Sequence, residues 1–370
     1  MNIIWFSWKD RWHPEAGGAE TVSGEIMDRL ARDGNNVYLI TSSYPGANDQ
    51  ETKNGVNIIR GGNRYTVYVK AFLNHKRLFS DLKIDLVIDE MNTLPFWSGF
   101  YVKSQKKILL TYQLAKEVWF YQMKFPFSLI GYVLEPIMLF IIKYGYSQTV
   151  TESNSTKNDL KKYGFKNIKV FSIGMALSPI AKLINKKNNG VILSLGAIRP
   201  MKRTLHAIKA FEFARDTNQK LKLIVAGDNS TKYAKRVIDY VKNSRHYSAI
   251  DIKGRVTAIE KISLMQSSEI ILVTSIKEGW GLIVTEANSQ GTPAIVYDVD
   301  GLRDSVKNNI TGILSPNNNP REMGLNINKL LSNKQKNKSL REKAWSCSKK
   351  FTFEDSYRDF IKKTINNANE

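Results

Sequence analysis

The stretch EIILVTSIKEGWGLIVTEANSQGTPAIVYD, residues 269–298, decides the fold. It opens with an apolar run rich in β-branched residues (269–275) and continues through a loop bearing Gly279 and Gly281. A helical pattern follows as far as Gly291, and a second apolar run closes it (292–298). Short runs without polar alternation are strands covered on both faces, and two such strands joined through a helix pair in parallel by a right-handed crossover. Two carboxylates interrupt this apolar unit: Glu278 in the loop above the first strand and Glu286 inside the helix. Most carboxylates are solvated surface charges, so the meaning of their placement depends on the rest of the chain.

The same alternation runs outward in both directions. Strands are expected at 2–8, 36–42, 56–61, 84–90, 107–113, 147–153 and 168–174. After a break they resume at 191–196, 221–227, 249–254, 269–275 and 292–298. Between the first two lies a helix with Val22, Ile26, Leu30 and Ala31 on one face, ended by Gly34. The fold class is therefore α/β, with two tandem Rossmann-like domains built on parallel, doubly wound sheets. The domains are read as 1–176 and 191–350, with the charged, Asn-rich segment 177–190 as the linker. Residues 351–370 read as a C-terminal helix with Phe353, Tyr357, Phe360, Ile361 and Ile365 on one side, packing back on the N-terminal domain.

Composition narrows the function. A chain of 370 residues exceeds one ordinary core. A single cysteine, Cys347, forbids an internal disulfide and fits a reducing cytoplasm. The start, MNIIWFSW, lacks the basic opening of a signal peptide. The most apolar run, residues 129–146, contains Glu135 and Pro136 and is short for a membrane span. It reads as a buried or half-buried helix, or as a face that touches lipid. The formal charge is +21, with 22 basic against 16 acidic side chains in residues 1–180 and 33 against 18 in the remainder. Such an excess attracts anions: phosphorylated substrates or acidic lipid. No helix-turn-helix or RNA-binding signature accompanies it, so nucleic acid is not an expected partner. The stretch 117–136 is dense in aromatics, which suits a bilayer interface. Alternatively, Trp119, Phe120, Phe125 and Phe127 pack the inter-domain side of the first domain.

Ligands of open parallel sheets bind at the carboxyl ends of the strands, where each candidate motif sits. After the first strand, WHPEAGGAE (12–20) places His13, Gly17 and Gly18 before a helix. The glycines form a plain turn or let the backbone approach an anion. After the first strand of the second domain, LGAIRPMKRT (195–204) clusters Arg199, Lys202 and Arg203. This is a solvated basic turn or a holder for phosphates. Glu278 and Glu286 are expected to face one pocket about 8–12 Å apart. That is too far for an acid/base pair on one glycosidic bond and suits two parts of an extended, hydroxyl-rich ligand. Asp298 and Asp300 form an Asp-x-Asp, but a metal site is not expected there.

EGWGLIVTEA, then GTP, DVDGLRD and TGIL, resembles the retaining GT-B glycosyltransferases of family 4 (glycosyl transferases group 1). GAIRPMKR, LIVAGD, TESNSTKNDLKKYGFKNIKVFSIG and PEAGGAE are similar to that family's motifs in the same order, so the resemblance spans nearly the whole chain. It implies a cleft between the domains, with donor on the second, acceptor on the first, and closure that excludes water. It implies that Glu278 bonds hydroxyls of the transferred sugar and Glu286 the ribose. The N–H groups of Trp280, Gly281 and Leu282 would support the sugar or diphosphate. Lys202 would hold the diphosphate and offset charge on the leaving group, and Gly17 and Gly18 would let the first domain's loop close over it. Two departures stand out. Ala197 replaces the family's usual arginine, for which Arg199 is the candidate substitute. Tyr112 stands where the family often has histidine; with His13 and Trp119 it is a candidate on the acceptor side.

The expectation is a cytoplasmic, metal-independent, retaining hexosyltransferase, peripheral on the inner face of the cell membrane. Its donor would be a UDP- or GDP-linked sugar, a substrate rather than a cofactor, and its acceptor a glycan or lipid-linked precursor. A catalytically weak nucleotide-sugar-binding partner subunit and a sugar-nucleotide epimerase of the same fold are the alternatives. The oligomeric state is not legible.

Overall fold

The computed structural model describes residues 1–184 and 189–365. The chain divides into two compact units: Met1–Ala176 with Phe351–Glu370, and Leu177–Lys350. The first unit runs β1 (Asn2–Phe6), α1 (Gly18–Arg32), β2 (Asn36–Thr41), β3 (Gln50–Lys53), β4 (Val56–Arg60), α2 (Val67–Leu78) and β5 (Ile84–Met91). It continues with α3 (Ser98–Tyr101), β6 (Ser104–Thr111), α4 (Trp119–Gln122), α5 (Phe127–Ile142), β7 (Gln148–Thr151), α6 (Asn154–Lys162) and β8 (Ile168–Val170). Its sheet has the order β3-β4-β2-β1-β5-β6-β7-β8. Ile3, Ile4, Trp5 and Phe6 are fully buried, because β1 is central and covered on both faces.

The second unit runs β9 (Val191–Leu195), α7 (Thr204–Thr217), β10 (Lys222–Ala226), α8 (Lys232–Lys242), β11 (Ile250–Gly254), α9 (Ala258–Ser267) and β12 (Ile270–Val273). It closes with α10 (Leu282–Ser289), β13 (Ala294–Tyr297), α11 (Leu302–Ser305), β14 (Gly312–Ser315), α12 (Pro320–Ser332) and α13 (Lys334–Ser348). The parallel order β11-β10-β9-β12-β13-β14 reverses direction beside β9, so the loops after β9 and β12 leave the sheet at its switch point. Local signals set the helix starts. Thr257 and Glu260 form a capping box on α9, and Asn319 caps α12 with Pro320 in its first turn.

Two strands depart from the sequence reading. β3 runs antiparallel to β4 through the turn Asn54-Gly55, both at positive φ, the chemistry of a two-residue hairpin. One edge of the first sheet is therefore not parallel. β14, quoted only as part of a motif, is the last parallel strand of the second sheet.

The segment 177–190, read as the linker, falls partly outside the described residues (185–188). Its described start packs on the second unit: the Ile180 N–H donates to Ser289 O (3.1 Å), and Ile180 O accepts from Trp345 Nε1 (2.8 Å). The final helix, α14 (Phe353–Thr364), belongs to the first unit. Phe360 is fully buried there, its ring 6.0 Å from Trp5 and 5.4 Å from Phe171. Residues 366–370 of the expected helix lie outside the described residues.

Candidate functional site

The second unit builds its site from the loops after β9 and β12. Thr274, the residue just past β12, has a hydroxyl that donates to the carbonyls of Lys202 (2.9 Å) and Arg203 (3.0 Å). The Ile276 N–H adds a bond to Met201 O (2.9 Å). The basic turn is thus fastened to the loop that carries Glu278. Lys202 Nζ lies 2.5 Å from Glu278 Oε1, and the Ser275 hydroxyl donates to the same oxygen (2.5 Å).

Gly281, at φ +88°, turns the chain into α10, whose N-terminus has no side-chain cap; its own carbonyl accepts from the Val284 N–H (2.8 Å). Glu286 follows on α10, almost wholly buried, with Lys261 Nζ of α9 2.6 Å from its Oε2. Trp280 is fixed by its indole N–H, which donates to Thr285 Oγ1 (2.9 Å). The next loop locks against this one: the Glu278 N–H donates to Asp300 O (3.1 Å), and a Cβ on Gly301 would stand 2.2 Å from Glu278 O. Each carboxylate therefore sits in a rigid frame beside one ammonium. A carboxylate has lone pairs beyond those its lysine uses, so such a Glu–Lys pair can bind hydroxyls through the acid and phosphate oxygens through the lysine.

Arg199 stands apart: its carbonyl accepts from the Lys202 N–H (3.0 Å), but its side chain is exposed. The Asp-x-Asp carboxylates are already engaged: Arg303 Nε bonds Asp298 (2.8 Å), and Lys277 Nζ bonds Asp300 (3.0 Å). Among the described residues no cluster of three or more His, Cys, Asp or Glu is placed to hold a metal. A shallow cavity lined by Glu212, Arg236, Tyr240 and Arg245 shares no residue with these loops, and its Tyr240 and Arg245 already bond Glu212 and Asp216.

The first unit alters several expectations. The helix after Gly17 and Gly18 does not wait empty for an anion. The Gly17 N–H donates to Glu20 Oε2 (2.7 Å), and Lys9 Nζ pairs with the other Glu20 oxygen (3.0 Å). Tyr112 lies inside the fold, its hydroxyl 2.6 Å from Ser23 Oγ and 3.3 Å from Ala19 O. Burial holds its pKa well above 10, so it stays protonated.

Ser23 in turn donates to Glu90 Oε2 (2.7 Å), which also accepts from Trp5 Nε1 (2.9 Å). Burial, with the Glu20 charge nearby, pushes the Glu90 carboxyl up to about 7. His13 is half-buried against Trp8 and Tyr44; its Nδ1 accepts from the Glu15 N–H (3.0 Å), and partial burial lowers its pKa. Trp119 is buried, not presented: its indole N–H donates to Glu135 Oε2 (3.0 Å) and its ring covers Gly131.

Lys261 and Glu90 were missed from sequence. A lone lysine on a helix carries no signal. An acid closing the apolar run IDLVIDE does, although it also reads as an ordinary strand end.

Two Rossmann-like units in one chain, with loops gathered at the switch point of the second sheet, give the fold of the GT-B glycosyltransferases. Residues 16–177 match the family model Glycosyltransferase Family 4, and residues 179–346 match Glycosyl transferases group 1, so the two models in tandem take in most of the chain. An uncharacterized glycosyltransferase of Methanocaldococcus jannaschii is 31% identical over 172 residues, 46% of this chain and 47% of that one. The chain spans about half the length of the curated relatives it matches. Among solved structures, a sucrose-phosphate synthase from Thermosynechococcus elongatus superposes with TM-score 0.77 at 17% identity, covering 98% of this chain and 97% of its own. Anabaena HepE in complex with UDP-glucose superposes with TM-score 0.69 at 13% identity, covering 98% of each chain.

Proposed function

We propose that this protein is a glycosyltransferase that moves a sugar from a nucleotide-linked donor to a glycan or lipid-linked acceptor. The observation that carries the reading is the pair of lysine-partnered carboxylates, Glu278 with Lys202 and Glu286 with Lys261, held at the switch point of the second sheet. Donor phosphates draw Lys202 toward them, which frees Glu278 to accept sugar hydroxyls. Glu286 takes the ribose diol, with Lys261 fixing its orientation. The first N–H groups of α10, from Leu282 on, and the backbone at Trp280 and Gly281 support the diphosphate. The acceptor oxygen attacks the anomeric carbon as the bond to the diphosphate breaks, and the acceptor proton passes to the leaving phosphate. Lys202 offsets the charge that develops there. In this reading the anomeric configuration is retained, no metal or separate cofactor takes part, and the enzyme works in the cytoplasm.

HepE, with its bound UDP-glucose, favours UDP over GDP as the nucleotide. Gly17 and Gly18 are weaker donor ligands than the second-unit residues, because Glu20 already holds the Gly17 N–H. One observation favours the silent partner subunit: the locked, protonated Tyr112 is no substitute for a titrating histidine.

The test is a thermal-shift screen against UDP- and GDP-sugars followed by donor hydrolysis and transfer assays. Bound donor raises the melting temperature by mass action. Glu278→Ala and Glu286→Ala, each removing bonds of about 1.5–3 kcal/mol to a charged group, should lower kcat/KM roughly 10- to 150-fold with the fold intact. Binding without turnover by the native protein would support the partner subunit. Wild-type activity in both variants would remove the site assignment.

A further inference from the structure

We propose that the first unit docks on an anionic lipid bilayer through one continuous apolar face formed by α2, α3 and α5. The inference deepens the proposed transfer to a lipid-linked acceptor and rests on that reading only for its purpose. The surface itself is argued from the first unit alone.

The topology puts these helices on one side of the sheet. The β1-α1-β2 connection moves one way from β1, whereas the connections through α2, α3 and α5 all move the other way. Right-handed crossovers therefore set α2, α3 and α5 together on the face opposite α1. Side chains make the patch continuous. The Phe72 ring of α2 lies 5.0 Å from Tyr101 of α3, and the neighbouring Phe100 ring covers Gly145 just past α5.

α5 is apolar nearly all round, yet only one side of it is buried. Val133, Leu134, Ile137 and Phe140 are each more than half exposed. The approach to the helix adds Phe125 and Phe127, and α2 adds Val69 and Leu73. A monomer in water rarely leaves so many large side chains uncovered on one face. Among the described residues no helix is long and apolar enough to cross a membrane. α5, with 16 residues, is about 24 Å long and is tied along its inner side, so it can only lie in the interface.

Charge selects the occupant. α2 contains Lys70, Lys76 and Arg77 and no acidic residue. The one acid of α5, Glu135, is buried, its oxygens accepting from the N–H groups of Ala115 (2.7 Å) and Lys116 (2.6 Å). The rim is therefore basic and carries no exposed carboxylate from these two helices. Lys143 spreads over the rings of Phe140 (4.1 Å) and Tyr144 (5.1 Å), and its ammonium donates to Tyr163 O (3.2 Å), so it adds a positive charge beside the face while its stem stays apolar. A second copy would bring its own formal charge of +21 and the same basic rim, which repels. An anionic bilayer satisfies both the apolar face and the rim.

The experiment is co-sedimentation of the full chain with vesicles of equal parts phosphatidylglycerol and phosphatidylcholine, with pure phosphatidylcholine as control, at about 50 and about 500 mM salt. The protein should pellet with acidic vesicles at low salt, weaken at high salt, and stay in solution with the neutral ones. Val133→Asp/Ile137→Asp should lower partitioning at least about tenfold, and Lys70→Gln/Lys76→Gln/Arg77→Gln roughly fivefold per charge removed. All these positions are solvent-exposed, and circular dichroism and melting check that the variants fold. Donor-induced thermal shift, a property of the second unit, should not change; its loss in the native protein would count against the glycosyltransferase reading and leave the docking face standing. No pelleting with acidic vesicles, or equal pelleting of the aspartate variant, overturns the docking face. So does a solution dimer that the aspartate variant dissociates, which would make a second copy the occupant.

Discussion

Lys202 and Arg199 stand three positions apart in one basic turn, and their surroundings separate them. Lys202 is half-buried, its ammonium held by Glu278 and its carbonyl by Thr274. Arg199 is exposed and would give up about 2 kcal/mol of rotamer freedom to bind. Lys202→Ala should therefore raise the Kd for a nucleoside diphosphate about tenfold or more, and Arg199→Ala less than about threefold. Isothermal titration at two salt concentrations checks this; equal losses would put both on the diphosphate. Glu90 makes a prediction about pH. Its carboxyl is pushed up to about 7 in the fold, against an ordinary 4.5 in the unfolded chain. The native state therefore binds the proton more tightly. The stabilising contribution is fully present below about 4.5, falls as pH rises, and is lost above about 7. Glu90→Gln, neutral throughout, should gain up to about 3 kcal/mol relative to the native protein between pH 4.5 and pH 8. Denaturant titration at the two pH values reads this gain, and a pH-independent difference would contradict it.

At the scale of elements, the site depends on how closely two loops approach. Gly301 opens α11 at φ +79°, and a Cβ there would meet the Glu278 carbonyl at 2.2 Å. Gly34 has nearly the same φ, +82°, with open space around it. Gly34→Ala should therefore cost about 1–2 kcal/mol, the price of left-handed backbone alone. Gly301→Ala should cost more and also push the Glu278 loop aside, weakening donor binding. Melting and nucleotide titration of the two variants make the comparison. The same scale shows where sequence reading failed. Asn54-Gly55 is a hairpin turn that could have been read, but the flanking polar residues of β3 show no apolar run. From sequence, Trp119 reads in one run with Phe120 and Phe125, either as interface aromatics or as inter-domain packing; the structure separates them, with Phe120 and Phe125 exposed and Trp119 buried. Its burial is decided by Glu135, 16 residues further on, whose carboxylate needs the indole N–H.

At the scale of the whole molecule, the chain builds the first unit, then the second, and returns to finish the first with α14. That last helix is a structural part of the first unit. Gln148 Nε2 donates to Lys363 O (2.7 Å), the Ser172 N–H to Asp359 Oδ2 (2.7 Å), and Phe360 fills the space beside Trp5. Phe360→Ala should destabilise the first unit by about 3–5 kcal/mol through the cavity it leaves. Calorimetry should show this as a lowered transition in the absence of donor, while the second unit still responds to nucleotide. An unchanged melting curve would mean that α14 adds nothing.

The sequence by itself determined the two Rossmann-like sheets, because buried parallel strands and their helices leave local periodicity that survives without neighbours. It also placed Lys202 and Glu278 in the loops after strands and Glu286 on the helix that follows, since strand ends are visible wherever an apolar run stops. Only the tertiary structure decided which charges meet. Lys261 and Glu286 are 25 residues apart, Lys202 and Glu278 are 76 apart, and no local pattern encodes such a pairing. It likewise decided that Tyr112 turns inward to Ser23 and that α5 keeps one face uncovered. A helix apolar on every side reads the same whether its outer half meets protein, lipid or water. The distinction lies in what the rest of the fold brings against it.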